Sequence, residues 1–517
     1  MNKIYKILAL TLLFVVGQPA YAFTEALPRC KALSEMRWSG FRIDVAEMQR
    51  ASFKQPAHCL VRGTIDTEIR FELLLPVSGS WNGRFVMGGG RGFAGSVQNQ
   101  ALDFVPDLLH KGFATVGTDT GHKGTGTQAS WAYNREDREI NFGHRAVHLT
   151  AQTAKTIMRI HYDRDIAYSY FIGCSRGGGQ GMMASQRYPD DFDGIVAGAP
   201  AFNWSGLAAQ YVQNAQAMYE KDNGVLVPIV RPQTQRLLEG AILKKCDAID
   251  QLEDGILNDP RKCTFKPEDL PRCTNDSEGA GCITAKELHA IKTVYAGPLV
   301  NGERIHPGFP FGGEAQKDAW DLWVVGREDA FGPGQPSLQF VMGTALFKYM
   351  MFDDHDWDYT TYDFSNWQQD ARHTTHVLDA TDSNLSHFNV SDGKIIYWTG
   401  WSDAALTALG IVEYFEEVQE KTRSAEDFTR LFLLPGVAHC SGGPGADVVD
   451  WLSTIQEWVE QNKAPDEVVA TKIEAGAIKM QRPVCAYPTE AIYNGNGDGS
   501  TLESFECVAP AADGRPR

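Results

Sequence analysis

The sequence predicts an α/β fold in which a parallel sheet, built from strand–helix–strand units, is interrupted by one large insertion. Three stretches carry that reading. Residues 166–200 run from an apolar, β-rich strand (Ile166 to Ile172) through a glycine-flanked turn into a helical pattern at Met182, Met183 and Gln186, then into a second buried strand, Gly194 to Gly198. The same grammar precedes this stretch, with a short strand from Phe113 to Asp119 and helical periodicity through Ala146, Leu149, Thr153 and Ile157, and it returns with strands at Gly393–Gly400 and Arg430–Pro435. Between Phe202 and about Asp392 the pattern changes to helices, cysteine-closed loops, Gly/Pro turns and many aromatic residues.

The turn in the first stretch is Gly173-Cys174-Ser175-Arg176-Gly177. A Gly-x-Ser-x-Gly between a buried strand and a helix is the nucleophile elbow of an α/β-hydrolase, because flanking glycines let the chain reverse sharply enough to lift one serine clear of the backbone. Ser175 is therefore the candidate nucleophile, and the predicted fold class is an α/β-hydrolase with a large inserted lid domain. Residues 23–201 would form the first part of the catalytic domain, 202–392 the lid, and 393–517 the second part.

The first 22 residues read as a signal peptide. Lys3 and Lys6 precede an apolar core (Ile7 to Val16), and Ala20-Tyr21-Ala22 offers a small-x-small cleavage site. That core is too short to span a bilayer, and no later run approaches the roughly 20 apolar residues that spanning needs. A secreted or periplasmic protein with no membrane partner follows. The net charge of −17 becomes more negative when two lysines and no acid leave with the signal, which argues against a nucleic-acid partner. Oligomeric state stays open.

Ten cysteines in an exported chain read as a disulfide framework. Local spacing suggests Cys30 with Cys59, Cys246 with Cys263, Cys273 with Cys282, and Cys485 with Cys507. Cys174 and Cys440 remain.

In chain order, alternation at Cys59–Ile65 and Ile69–Leu75 predicts antiparallel entry strands. A strand from Trp81 then ends in the run Gly88-Gly89-Gly90-Arg91-Gly92. In this fold that position holds the second oxyanion donor, since only glycine lets a backbone N–H approach the substrate carbonyl so closely; a flexible glycine turn is the alternative. Asp119 and His122 precede the nucleophile, whereas this fold orders its triad as serine, acid, histidine, so both read as structural. Asp403 lies just past the carboxyl end of the Gly393–Gly400 strand, and His439 lies in the loop after Arg430–Pro435. Ser175, Asp403 and His439 thus follow the required order. If Ser175 and His439 meet, their neighbours Cys174 and Cys440 come close enough for a disulfide. Cys174 as nucleophile is the rival reading, disfavoured because the residue before an elbow serine points into the sheet.

In the insertion, Asp247, Asp250 and Asp254 precede Gly255. The spacing suits a hard cation taking side-chain and carbonyl oxygens together; an acidic turn without an ion is the alternative.

These residues together resemble the tannase and feruloyl esterase family. The resemblance covers essentially the whole chain after the signal. It rests on Cys174-Ser175 with Asp403 and His439-Cys440, on Trp81-Asn82-Gly83-Arg84-Phe85 with the glycine loop, on the Cys246–Ile256 acidic motif, and on His439-Cys440-Ser441-Gly442-Gly443-Pro444-Gly445. It implies a catalytic Ser175, Asp403 and His439, a catalytic disulfide between Cys174 and Cys440, and oxyanion N–H donors at Gly92 and Arg176. It also implies a structural calcium on carboxylates of Asp247, Asp250 and Asp254 and carbonyls of Leu252 and Ile256. Members that hydrolyse mono(2-hydroxyethyl) terephthalate hold its free carboxylate with a lid arginine. Here Gln339 stands in that place, and an amide cannot match a bidentate arginine–carboxylate pair.

The expectation is therefore a carboxylic ester hydrolase for a small aromatic ester of hydroxycinnamic or gallic acid, with a terephthalate monoester as alternative. Trp323 and Leu406 would flank the ring and Arg176 would offer a cation, unless all three serve ordinary packing. A catalytically inactive binding protein on the same fold is the alternative of another class.

Overall fold

The computed structural model describes residues 18–277, 279, 281–327 and 336–510. Most of the predicted signal peptide, residues 1–17, lies outside the described residues. A helix α1, Gln18–Glu35, opens the described chain. Among the described residues, no helix is long and apolar enough to cross a membrane.

One nine-stranded sheet organises the molecule. Its strands are β1 Phe41–Gln49, β2 His58–Ile65, β3 Ile69–Pro76, β4 Arg84–Gly88, β5 Ala114–Thr118, β6 Tyr168–Ser175, β7 Gly194–Pro200, β8 Lys394–Gly400 and β9 Thr429–Leu434. Their spatial order is β1-β2-β3-β5-β4-β6-β7-β8-β9. Antiparallel pairing joins β1 to β2, β2 to β3 and β3 to β5, while every pair from β5 to β9 is parallel. The antiparallel entry strands read from the sequence are β2 and β3. Strand β1 escaped that reading because its residues are half-buried at the sheet edge, with no strict alternation.

Helices α2 (Ala146–Tyr162) and α3 (Arg176–Arg187) are followed, within residues 202–392, by the longer helices α4 (Trp204–Met218), α5 (Pro232–Cys246), α6 (Ala285–Ala296) and α7 (Leu338–Leu346). After the lid come α8 (Ala408–Lys421) and α9 (Trp451–Gln461). Two apolar cores cover the sheet faces, one with Phe71, Phe171 and Tyr397, the other with Tyr170, Trp398 and Trp458. A third core fills the lid and continues into Phe93, Phe142 and Leu406 at the rim of the sheet. The sequence reading missed two carboxy-terminal hairpins, Glu467–Glu474 with Ala477–Cys485 and Glu490–Tyr493 with Phe505–Val508. The Cys485–Cys507 disulfide ties the second to the first.

Asp119 and His122 occupy structural positions. Buried Asp119 accepts from the Arg70 N–H at 2.9 Å and pairs with its guanidinium. The His122 ring stacks on Trp131 and its Nε2 meets Phe93 O at 2.7 Å; burial pushes its pKa down to about 4.

Helix α3 lies unusually close to β7. A Cβ at Gly178 would overlap Gly198 O, and one at Gly179 would overlap Ala201 O. Replacing Gly179 by Ala therefore trades a helix-propensity gain of about 1 kcal/mol against overpacking of about 1–3 kcal/mol. Urea denaturation of Gly179→Ala should show a lowered midpoint at unchanged slope.

Candidate active site

The elbow sets the site. Ser175 ends β6 with φ 64° and ψ −125°, a conformation L-residues adopt only under constraint, and the β6–β7 register shifts between Cys174 and Ser175. That twist raises the serine side chain and makes Arg176 the first residue of α3. Its N–H consequently has no partner within the helix.

The loops after β8 and β9 bring the other two side chains to this point. Ser175 Oγ lies 3.0 Å from His439 Nε2, and His439 Nδ1 lies 2.8 Å from Asp403 Oδ2. The other oxygen of Asp403, a buried side chain, accepts from the N–H groups of Ala405 (2.8 Å) and Leu406 (2.9 Å). Its carboxylate plane is thereby set and its negative charge stabilised. A disulfide joins Cys174 to Cys440, with the two Cα atoms 6.0 Å apart. The other four pairs, Cys30–Cys59, Cys246–Cys263, Cys273–Cys282 and Cys485–Cys507, also form, and no described cysteine is free.

The glycine loop faces Ser175. Gly92 has φ +50°, and a Cβ there would overlap Gly126 O. Two buried glutamines, invisible to motif reading because a lone Gln has no spacing signature, tie this loop to the elbow. The Gln100 side chain accepts from Cys174 N–H at 2.9 Å and donates to Cys174 O at 3.2 Å, while its own backbone N–H donates to Gly89 O. Gln180, on α3, accepts from Gly90 N–H at 2.9 Å.

A narrow cleft opens beside Ser175 and His439. Gly92, Arg176, Trp323 and Leu406 line it, and so do residues of the 202–392 segment that the sequence reading had not singled out, among them Trp204, Leu207, Tyr211, Met342 and Leu346. Trp323 sets its ring edge against His439, centroids 4.9 Å apart.

Two expectations need correction. Gln339 is not at the cavity: its amide donates to Ala404 O at 2.8 Å and accepts from Asn214 at 2.8 Å. The row Gln339–Gly343 packs on α4, with Gly343 against Tyr211, so the neighbouring row Met342–Leu346 faces the cavity instead. Arg176 lines the cavity, yet its guanidinium does not reach towards substrate. It donates to Phe142 O and Gly143 O in a π-helical turn and lies over the Phe142 ring at 4.1 Å and the Trp204 ring at 5.5 Å. Full burial without a carboxylate partner lowers its pKa to about 9.

In the acidic loop, Asp247 accepts from Gly255 N–H, Asp250 from Leu252 N–H and Asp254 from Ile256 N–H, each at 3.0–3.1 Å. Burial first, and the neighbouring carboxylates after it, raise the pKa of Asp247 and lift that of Asp250 to about 6. Arg482 pairs with Asp254. Among the described residues, no group of three His, Cys, Asp or Glu side chains is arranged to hold a metal ion. The loop thus has the negative charge a cation would neutralise, with one arginine already directed at it.

The family described as Tannase and feruloyl esterase matches residues 56–508. The chain belongs to that family. It is similar to the mono(2-hydroxyethyl) terephthalate hydrolase of Piscinibacter sakaiensis, 32% identical with 90% of this chain and 87% of that one covered. It is likewise 29% identical to feruloyl esterase B of Aspergillus niger, over 90% of this chain and 89% of that one. In fold it resembles the crystal structure of feruloyl esterase B from Aspergillus oryzae, with a TM-score of 0.83, 24% identity, and coverage of 93% of this chain and 100% of that one. The protein is a carboxylic ester hydrolase with an α/β-hydrolase sheet.

The glutamine clamp gives the first test of the site. Gln100→Leu keeps the side chain's bulk but leaves the Cys174 N–H and C=O without buried partners, at about 1–3 kcal/mol each. Thermal unfolding should shift down, and kcat on a p-nitrophenyl ester should fall about 10-fold or more with KM little changed, since sub-ångström misplacement of a nucleophile acts on the chemical step.

Proposed function

We propose that this protein is an exported serine esterase that hydrolyses esters of aromatic acids, of the hydroxycinnamic or galloyl type, through Ser175, His439 and Asp403. The observation that carries this reading is the hydrogen-bonded chain from Ser175 Oγ through His439 to Asp403 at the mouth of an apolar cavity. His439 Nε2 takes the Ser175 proton as Oγ attacks the ester carbonyl carbon, and Asp403 stabilises the imidazolium. The N–H groups of Arg176 and Gly92 hold the negative oxygen of the tetrahedral intermediate. As that intermediate collapses, His439 gives its proton to the departing alcohol. Water, deprotonated by His439, then releases the acid from the acyl-enzyme.

A terephthalate monoester is the second reading, favoured by the relative from Piscinibacter sakaiensis. It requires a cation for the free carboxylate. Arg176 is the arginine or lysine that lines the cavity among the described residues, and its guanidinium is directed to Phe142 O and Gly143 O. We therefore favour uncharged acyl rings. Export is supported by the signal-like residues 1–22 and by five disulfides, which persist in oxidising compartments. A structural calcium on Asp247, Asp250 and Asp254 with the Leu252 and Ile256 carbonyls is supported by the folding of these three carboxylates into one loop, where each accepts from a backbone N–H of that loop.

Two measurements test the reading. Ser175→Ala should lower kcat on methyl ferulate by about 10³-fold or more, and a fluorophosphonate should label the wild type but not the variant. Wild-type turnover by Ser175→Ala, or an unlabelled wild type, would favour an inactive binding protein. For calcium, the melting temperature should rise with millimolar Ca²⁺ and fall back with EGTA, since an ion bound only by the folded state stabilises it; identical curves would remove the ion from the account.

A further inference from the structure

The lining of the cavity orders the aromatic acids that the proposed esterase accepts. With the ester carbonyl at Ser175 Oγ, the leaving alcohol must lie on the side of His439, which protonates it. The acyl ring is then left between α4 and α7, against Trp204, Leu207, Met342 and Leu346. None of these four carries a polar side-chain group except Trp204, whose indole N–H is buried without a partner. Among the described residues of the wall, the hydroxyl besides that of Ser175 is on buried Tyr211, which already donates to Ala405 O at 2.7 Å. Arg176 directs its guanidinium to Phe142 O and Gly143 O, away from the ring.

We propose, resting on the esterase reading above and narrowing its substrate range away from the galloyl type, that this cavity selects esters of weakly hydroxylated aromatic acids, of the cinnamoyl and benzoyl type, and discriminates against vicinal ring hydroxyls such as those of caffeoyl and galloyl groups. Each hydroxyl carried into the cavity leaves water and meets alkyl and ring carbon. An unpaired buried hydroxyl lowers kcat/KM about 10-fold, whereas the apolar ring itself is favoured by burial. A single acceptor oxygen can take the Trp204 N–H. Two or three adjacent hydroxyls cannot all be matched.

The test compares kcat/KM of the purified full chain on matched methyl esters: cinnamate against caffeate, and benzoate against gallate. We expect the less hydroxylated member of each pair to win by about 10-fold or more, together with loss of all turnover in Ser175→Ala. Equal or reversed ratios, with turnover still dependent on Ser175, overturn the inference about the cavity and leave the esterase reading standing. Absence of Ser175-dependent turnover on all four esters overturns both. Met342→Gln, near-isosteric and only partly buried, adds an amide to the lining and should raise the caffeate-to-cinnamate ratio about 5-fold or more; an unchanged ratio places the ring elsewhere.

Discussion

The backbone of Ser175 is the constraint on which the rest of the molecule depends. A non-glycine residue at φ 64° and ψ −125° costs on the order of 1–3 kcal/mol and persists only where its surroundings over-determine it. Here they do so from three sides. Strand β6 is paired on both edges, α3 is pressed onto β7 at Gly178 and Gly179, and Gln100 grips both backbone groups of Cys174. Because the elbow is rigid, one turn of chain supplies both a raised hydroxyl and the free N–H at the start of a helix.

His439 and Asp403 arrive from more than two hundred residues away, and their placement beside Ser175 is correspondingly secured by several independent contacts. The Asp403 loop and the His439 loop are joined directly, since Ser402 N–H donates to Val437 O at 3.0 Å. The Cys174–Cys440 disulfide closes a separation of 266 residues and joins the neighbours of Ser175 and His439. Asp403, fixed by two N–H donors of its own loop, confines the imidazole to one tautomer and one orientation.

The 202–392 segment meets Ser175 and His439 with apolar side chains. Its core is continuous with the rim of the sheet, and its Trp323 ring lies against His439. Arg176 shows the same economy of charge: its guanidinium braces a π-helical turn and two aromatic rings rather than facing solvent.

The sequence by itself determined the parts whose chemistry is local. The strand–elbow–helix unit, the parallel strands β4 to β9, and the order Ser175, Asp403, His439 were legible because sharp turns need glycine and buried strands need apolar runs. So were the short-range cysteine pairs. Strand β1 and the two carboxy-terminal hairpins were not, because edge strands with one face half-exposed leave little periodicity. Only the tertiary structure decided what lines the cleft beside Ser175. Gln339 and Met342 sit three residues apart on one helix, and nothing local distinguishes them; the close approach of Gly343 to Tyr211 sets the rotation of α7, turning Gln339 into the lid core and Met342 towards Ser175. Arg176 is likewise one residue from Ser175 in sequence, yet the carbonyls of Phe142 and Gly143, contributed by a distant segment, direct its charge away from the cavity.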